Sequence, residues 1–416
     1  MTEPAQLTAT AALREMRAGR LHPRALTEAC LARVADREPA LRALTAPPAH
    51  PYPCPDGPLH GLPIGVKDVL DTADFPTQYG SPIWSWYKPR ADAACVAWAR
   101  AAGAFVAGKT VTTEFATRHP GPTTNPHDSR RTPGGSSSGS AAGVAAHYFP
   151  VAFGTQTAGS VIRPAAFCGV IGYKPSFGLI NRAGMKIMSD SLDTIGVLAR
   201  SVADCALLAG VVSGVDLGNP EAKSAPPLLG LCRTPFWERA APETAAMMER
   251  VAGRLSQAGA RVRAVTLPPL FDEFGAAHAR VMNGESVRAL GWEMLHARDQ
   301  LSPGLREILE AALSAPPQAM TEAQGVLRDS RAAFADWMGD LDALITPAAP
   351  GVAPEGLEWT GDPAFNLIWT GLHVPCVTVP AGEGPGGMPL GVQVVARRGQ
   401  DRAALAWAAW VQGGLS

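Results

Sequence analysis

Pro133-Gly134-Gly135-Ser136-Ser137-Ser138-Gly139-Ser140 opens, and Gly154-Thr155-Gln156-Thr157-Ala158-Gly159-Ser160-Val161-Ile162-Arg163 closes, the stretch around which the rest of this chain is organised. Between these two glycine and serine loops lie Ser140 to Ala146, rich in residues without bulk, and the apolar run Phe149 to Phe153. The first reads as a helix able to approach its neighbours closely, the second as a strand that delivers the chain to the second loop. Such loops place backbone N–H groups and hydroxyls where side chains would otherwise crowd, which suits gripping a developing anion and presenting a nucleophile. The same composition also describes flexible turns.

Working outward, Leu7 to Arg37 has apolar residues at helical spacing, interrupted at Gly19 and Pro23, and predicts two helices. Residues 45 to 60 read as a loop. Pro63 to Leu70 reads as a short strand carrying one cation, Lys67. A helix is expected around Asp92 to Gly103, a strand at Ala104 to Gly108, and a proline-punctuated loop over 117 to 135. Beyond the second loop, Gly169 to Gly178 reads as a turn-rich connector. Asp193-Thr194-Ile195-Gly196 precedes a helix from Ser201 to Val212, with Ser201 as its N-cap. The middle, about 215 to 340, is the most helical part, with amphipathic spacing over Thr244 to Ala258 and Gln324 to Met338. Strands return at Ala343 to Thr346, Val374 to Val379 and Gly391 to Val395, and Ala403 to Val411 closes the chain as a helix. Strands at both ends with helices between them imply an α/β fold, one sheet assembled from distant parts of the sequence. We therefore expect a single domain over residues 1–416, with a core at 60–212 and 340–416 and a variable helical substrate region at about 215–340.

Composition narrows the function. Lys plus Arg number 36 against 37 for Asp plus Glu, so no global field favours nucleic acid or an anionic membrane surface. Cys30, Cys54, Cys95, Cys168, Cys205, Cys232 and Cys376 are odd in number, scattered, and contain no C-x-x-C pair. They read as free thiols in a reducing cytosol, neither a disulfide framework nor a zinc site. Met1 to Arg20 lacks the apolar core of a signal peptide, and no apolar run reaches transmembrane length. A cytoplasmic location is the expectation.

Rival catalytic patterns fail one by one. Gly135-Ser136-Ser137-Ser138-Gly139 fits the G-x-S-x-G frame of a nucleophile elbow around Ser137, but an elbow follows a buried strand and this match follows a long loop. His147, His278, His296 and His373 have no patterned surroundings and read as structural histidines. No phosphate loop, dinucleotide fingerprint or H-E-x-x-H is present. A serine can instead be activated by a lysine. Lys67 sits at a strand edge with its amine in water, or is buried; if buried, desolvation lowers its pKa and fits it to be a base. Ser136 and Ser160 are 24 residues apart (160 − 136), enough for one crossover that brings the two loops together.

Gly65-Val66-Lys67-Asp68, the run Gly134 to Ala142, the run Gly154 to Ser160, Asp193 to Gly196 and Gly391-Val392-Gln393 together resemble the amidase signature family, serine hydrolases that cleave carboxamides through a Ser, cis-Ser, Lys triad. The resemblance covers about 60 to about 400, with the middle poorly matched. It implies one large domain with a central mixed, twisted sheet flanked by helices on both faces. It implies Ser160 as nucleophile, Ser136 as bridging serine after a cis Gly135–Ser136 peptide, Lys67 as base, and an oxyanion hole from the N–H groups of Thr157, Ala158, Gly159 and Ser160. Three positions depart from the pattern: Ala158 replaces a usual glycine, Gln156 a frequent aspartate and Ser138 a common glycine. A methyl at Ala158 matters if that residue needs positive φ. Arg163 pairs with a buried carboxylate, or clamps a substrate carboxylate bidentately.

The function expected from the resemblance is hydrolysis of a small carboxamide, a short carboxylate-bearing one, to carboxylate and ammonia through an acyl-enzyme. Trp84, Trp86, Tyr87, Trp359 and Trp369 line a pocket for an aromatic amide in the competing view, or merely pack. The alternative enzyme is the glutaminase (A) subunit of a tRNA-dependent amidotransferase. A non-catalytic binding protein on the same fold is the reading of another class. No cofactor or metal is expected. The partner expected is a small-molecule amide, with no nucleic acid and no membrane, and a homodimer is left open.

Overall fold

A computed structural model describes residues 3–46 and 56–415. The two predicted N-terminal helices are Ala9–Arg17 and Pro23–Leu41. Ten strands follow: β1 (Pro63–Lys67), β2 (Phe105–Thr110), β3 (Val151–Gln156), β4 (Ile171–Lys174), β5 (Thr194–Ala199), β6 (Leu228–Cys232), β7 (Arg261–Val265), β8 (Ala343–Pro347), β9 (Cys376–Glu383) and β10 (Pro389–Val395). They form a single sheet in the order β2-β1-β3-β5-β4-β9-β10-β8-β6-β7. β1 is parallel to β2 and β3, and β6 is parallel to β7 and β8, while the pairs from β3 through β5, β4, β9 and β10 to β8 are antiparallel. The sheet is thus mixed, as expected for the resemblance, with parallel edges around an antiparallel centre.

Both faces are covered, which explains why these strands read as continuous apolar runs. Neighbouring residues on one strand enter different cores because side chains alternate. Ala343 and Ile345 join one hydrophobic cluster, with helices Val202–Ser213, Pro242–Gln257 and Asp401–Leu415. Leu344 joins another, with helices Phe274–Ala289, Pro317–Trp337 and Ala364–Gly371. The exception is edge strand β7, whose Arg261 and Arg263 stand exposed and blunt the edge against pairing with another chain.

The structure departs from expectation at four strands. Gly169 to Gly178, read as a connector, contains β4, and the motif Asp193 to Gly196 enters β5 in mid-sheet. The middle segment, read as helical, contributes β6 and β7 to the same sheet. The six described cysteines are buried and unpaired, and Cys54 lies outside the described residues, as does much of the loop expected over 45 to 60. No helix among the described residues is long and apolar enough to cross a membrane.

This topology places the site. β1 and β3 are parallel neighbours in register, Val66 opposite Phe153, so their C-terminal ends emerge side by side. Such ends are where open α/β sheets build ligand crevices. The first glycine and serine loop reaches the same edge through helix Ser138–Ala145, whose residues from Ser138 to Val144 are all buried, as its lack of bulk allows.

Candidate active site

Lys67 is the last residue of β1 and is fully buried, not at a wetted strand end. Its Nζ lies 2.6 Å from Ser136 Oγ, 2.7 Å from Thr155 Oγ1 and 3.5 Å from Thr155 O. Burial pushes its pKa well below the usual lysine value, against the opposing pull of the buried Asp193 carboxylate. A neutral amine has two N–H groups and one lone pair. The three contacts fit that inventory when the Ser136 hydroxyl donates to Nζ, and fit the three N–H groups of an ammonium when Nζ donates to all three oxygens.

Ser136 is 2% exposed. Its backbone N–H donates to Ser160 Oγ at 3.0 Å, so Ser136 touches Lys67 through its hydroxyl and Ser160 through its amide. The three residues named from the sequence therefore meet at one point. The Gly135–Ser136 peptide, expected to be cis, is trans. The loop turns instead through Gly134 and Gly135 at φ 84° and 61°, a region costly to residues with a Cβ, and an added Cβ on Gly135 would stand 3.1 Å from Ser160 Cα. Ser137, the elbow candidate, is a strut: its Oγ donates to Thr155 O at 3.2 Å and accepts from Thr155 N at 3.1 Å.

The second loop runs from the end of β3 into helix Ile162–Cys168. Ala158 is not among the residues with positive φ, so its methyl imposes no backbone strain. Gln156 Oε1 accepts from the N–H groups of Val161 and Ile162 at 2.8 and 3.0 Å. Thr157 Oγ1 donates to Asp193 Oδ1 at 2.5 Å. Gly159 is a close approach: an added Cβ would stand 2.4 Å from Asn366 Oδ1 and 2.9 Å from Arg163 Nη1.

Thr157, Ala158, Ser160, Arg163, Met188 and Met282 border a cavity of about 360 Å³. Arg163 is 4% exposed. Its Nε donates to Thr360 O at 2.8 Å and its Nη2 to Thr360 Oγ1 at 3.3 Å, while Nη1 is buried with no partner among the described residues. Its partners are a carbonyl and a hydroxyl, so the expected pairing with a buried carboxylate is not found among the described residues. Burial pushes its pKa down to about 10, with Asp362 opposing. Of the aromatic candidates only Trp359 borders this cavity. Trp84, Trp86 and Tyr87 cluster with Trp292 elsewhere, and Trp369 is buried in the core.

Sequence reasoning missed several contributors. Thr155 holds Lys67, and nothing in the Gly154 to Ser160 motif singles it out. Thr360 and Thr370 sit about two hundred residues downstream of the loop they touch, with no local pattern to mark them. His278, read as structural, places its Nε2 2.9 Å from Thr157 O. Burial pushes its pKa down to about 4.

Comparison with known proteins bears on what this geometry serves. The amidase family profile matches residues 26–405. The Glutamyl-tRNA(Gln) amidotransferase (A) subunit of Chloroflexus aggregans is 34% identical over 462 aligned positions, covering 95% of this chain and 94% of that relative. Among solved structures, the Glutamyl-tRNA(Gln) amidotransferase (A) subunit of Thermotoga maritima superposes with a TM-score of 0.85 at 26% identity, covering 98% of this chain and 94% of that one. The 6-aminohexanoate cyclic dimer hydrolase, solved with its substrate, superposes with a TM-score of 0.88 at 26% identity, covering 99% and 97%. The names of the first two couple a tRNA to one component of an assembly, which overturns the expectation of a small-molecule partner alone with no nucleic acid. Near-neutral net charge was a poor guide there, because it averages over a whole surface and is blind to a local patch or to a partner chain. With the family profile spanning the sheet, both loops and the middle segment, the chain belongs to the amidase signature family and is a hydrolase that acts on amide C–N bonds.

Proposed function

We propose that this chain releases ammonia from a terminal carboxamide by acyl transfer to Ser160, in the role of the glutaminase (A) subunit of a tRNA-dependent amidotransferase. The observation that supports this reading most is the 34% identity that runs through 95% of the chain to a protein of that name. In this mechanism Ser160 Oγ, held at the Ser136 N–H in the structure, comes within reach of Ser136 Oγ, which takes its proton while passing its own to neutral Lys67, and Ser160 attacks the amide carbon. The oxyanion is held by the N–H groups of Thr157, Ala158, Gly159 and Ser160, each donor worth on the order of 3 kcal/mol. Protons return along the same path to the departing amine, and water then hydrolyses the acyl-enzyme. The unpaired Arg163 Nη1 beside the cavity supplies a site for the carboxylate that glutamine carries.

A second reading is a self-sufficient hydrolase of a small carboxylate-bearing amide. The likeness to the 6-aminohexanoate cyclic dimer hydrolase favours a small amide as substrate, the cavity of about 360 Å³ suits a short one, and Arg163 beside it suits a carboxylate. Ammonia release by the isolated chain from glutamine and from malonamate-like, aliphatic and aromatic amides separates the two. The amidotransferase reading expects weak turnover of glutamine and no efficient turnover of any simple amide. Efficient hydrolysis of one of the simple amides without added partners contradicts it and supports the second.

A further inference from the structure

The carbonyl groups of the nucleophile loop are tied from outside the cavity. Gln156 Nε2 donates to Thr370 Oγ1 at 2.9 Å, and Thr370 Oγ1 in turn donates to Ala158 O at 2.8 Å. The hydroxyl has one proton to give, and Asn366 O at 3.3 Å is the more distant acceptor. His278 Nε2, facing a carbonyl oxygen, donates to Thr157 O at 2.9 Å. Neither His278 nor Thr370 borders the cavity that Thr157, Ala158 and Ser160 line. In a trans peptide the C=O and N–H of one unit point in opposite directions. Fixing the carbonyls of Thr157 and Ala158 on the outside therefore turns the N–H groups of Ala158 and Gly159 to the other side.

We propose that Gln156, Thr370 and His278 are positioning residues for the oxyanion site, and that an amide at position 156 is required because it sets the direction of the hydrogen-bond chain that holds the Ala158 carbonyl. A carboxylate at 156 still accepts from Val161 and Ile162, but it has no N–H for Thr370. The single Thr370 proton then turns toward the carboxylate, and Ala158 O loses its donor. Ala158 and Gln156, two departures from the family pattern, are on this account one coupled unit with Thr370. The proposal rests on Ser160 being the nucleophile.

The test is phosphonylation of Ser160 by an alkyl fluorophosphonate, followed by mass spectrometry, with the maximal rate and the half-saturating concentration determined separately. Thr370→Val and Gln156→Glu are each expected to lower the maximal rate about 10- to 100-fold while the half-saturating concentration stays within about twofold. Thr370→Ser restores the rate to within about twofold, and the Thr370→Val/Gln156→Glu double variant is no slower than the slower single variant, since both cut one chain. A wild-type rate in Thr370→Val, a loss that Thr370→Ser does not restore, or a change confined to half-saturation overturns the proposal while leaving Ser160 as nucleophile. Wild-type protein that is not phosphonylated at Ser160 removes the nucleophile reading and this proposal with it.

Discussion

As the proposed base, Lys67 can accept a proton only when it is uncharged, and its burial makes that state accessible well below the ordinary lysine range. On the proposed mechanism, activity is expected to rise with pH through the folded-state pKa of Lys67 and level off, with a midpoint below the ordinary lysine value of 10.5. Lys67→Arg keeps a permanent charge in the same place and is expected to lower kcat/KM about 10²- to 10⁴-fold at every pH. A pH–rate profile of the two proteins decides it, and an active arginine variant counts against Lys67 as base. At this scale the loops that carry the candidate site were legible in the sequence: Gly134 and Gly135 mark a turn at positive φ, and Ser136 and Ser160 stand on the two glycine and serine loops. Thr155, Thr360, Thr370 and His278 were not legible. Each acts through a contact made only by folding, as when Thr157 meets His278 across 121 positions of sequence.

Elements were legible where periodicity or punctuation marked them and illegible where burial erased it. Gly19 and Pro23 divided the first two helices, and the Ser201 hydroxyl accepts from Asp204 N as an N-cap should. β4 and β5 are buried at every position, so no alternation survives, and their glycines mimic a turn. β6, Leu-Leu-Gly-Leu-Cys, is a short apolar run that periodicity cannot tell from a helix segment. One element-level tie has a measurable value. Asp204 accepts from the N–H groups of Ala9 and Thr10 and from the Thr10 hydroxyl, docking the first helix to helix Val202–Ser213. Removing the carboxylate strands one buried and two part-buried donors, so Asp204→Ala is expected to cost about 3 kcal/mol in urea unfolding, against about 1 kcal/mol for Ser201→Ala. Equal effects for the two variants would show that the docking contributes nothing beyond the cap.

For the whole molecule, stability is linked to pH through buried histidines. His278 has a folded pKa of about 4 against 6.5 for the free side chain, so unfolding takes up a proton between those values. Its contribution is fully present above pH 6.5 and is lost as pH falls toward 4, to the extent of about 3 kcal/mol. Buried carboxylates such as Asp193, whose pKa is raised, act in the opposite sense and cancel in a comparison of variants. Between pH 7 and pH 4 wild type should accordingly lose about 3 kcal/mol more unfolding free energy than His278→Gln, and parallel curves would mean that His278 is protonated in the folded protein. The single-domain α/β architecture was readable from strands at both ends of the chain. What the two strands hidden in the middle add is that this middle is built into the same sheet, and the helix carrying His278 meets the second glycine loop at Thr157 O.

The central claim is that Ser160 is the nucleophile of an amide-cleaving centre completed by Ser136 and Lys67. Ammonia release measured side by side for wild type and Ser160→Ala, on whichever amide wild type hydrolyses, tests it most directly. The expected result is a loss of about 10³-fold or more in kcat, with the residual rate reflecting binding and the oxyanion donors alone. Undiminished release by Ser160→Ala would contradict it.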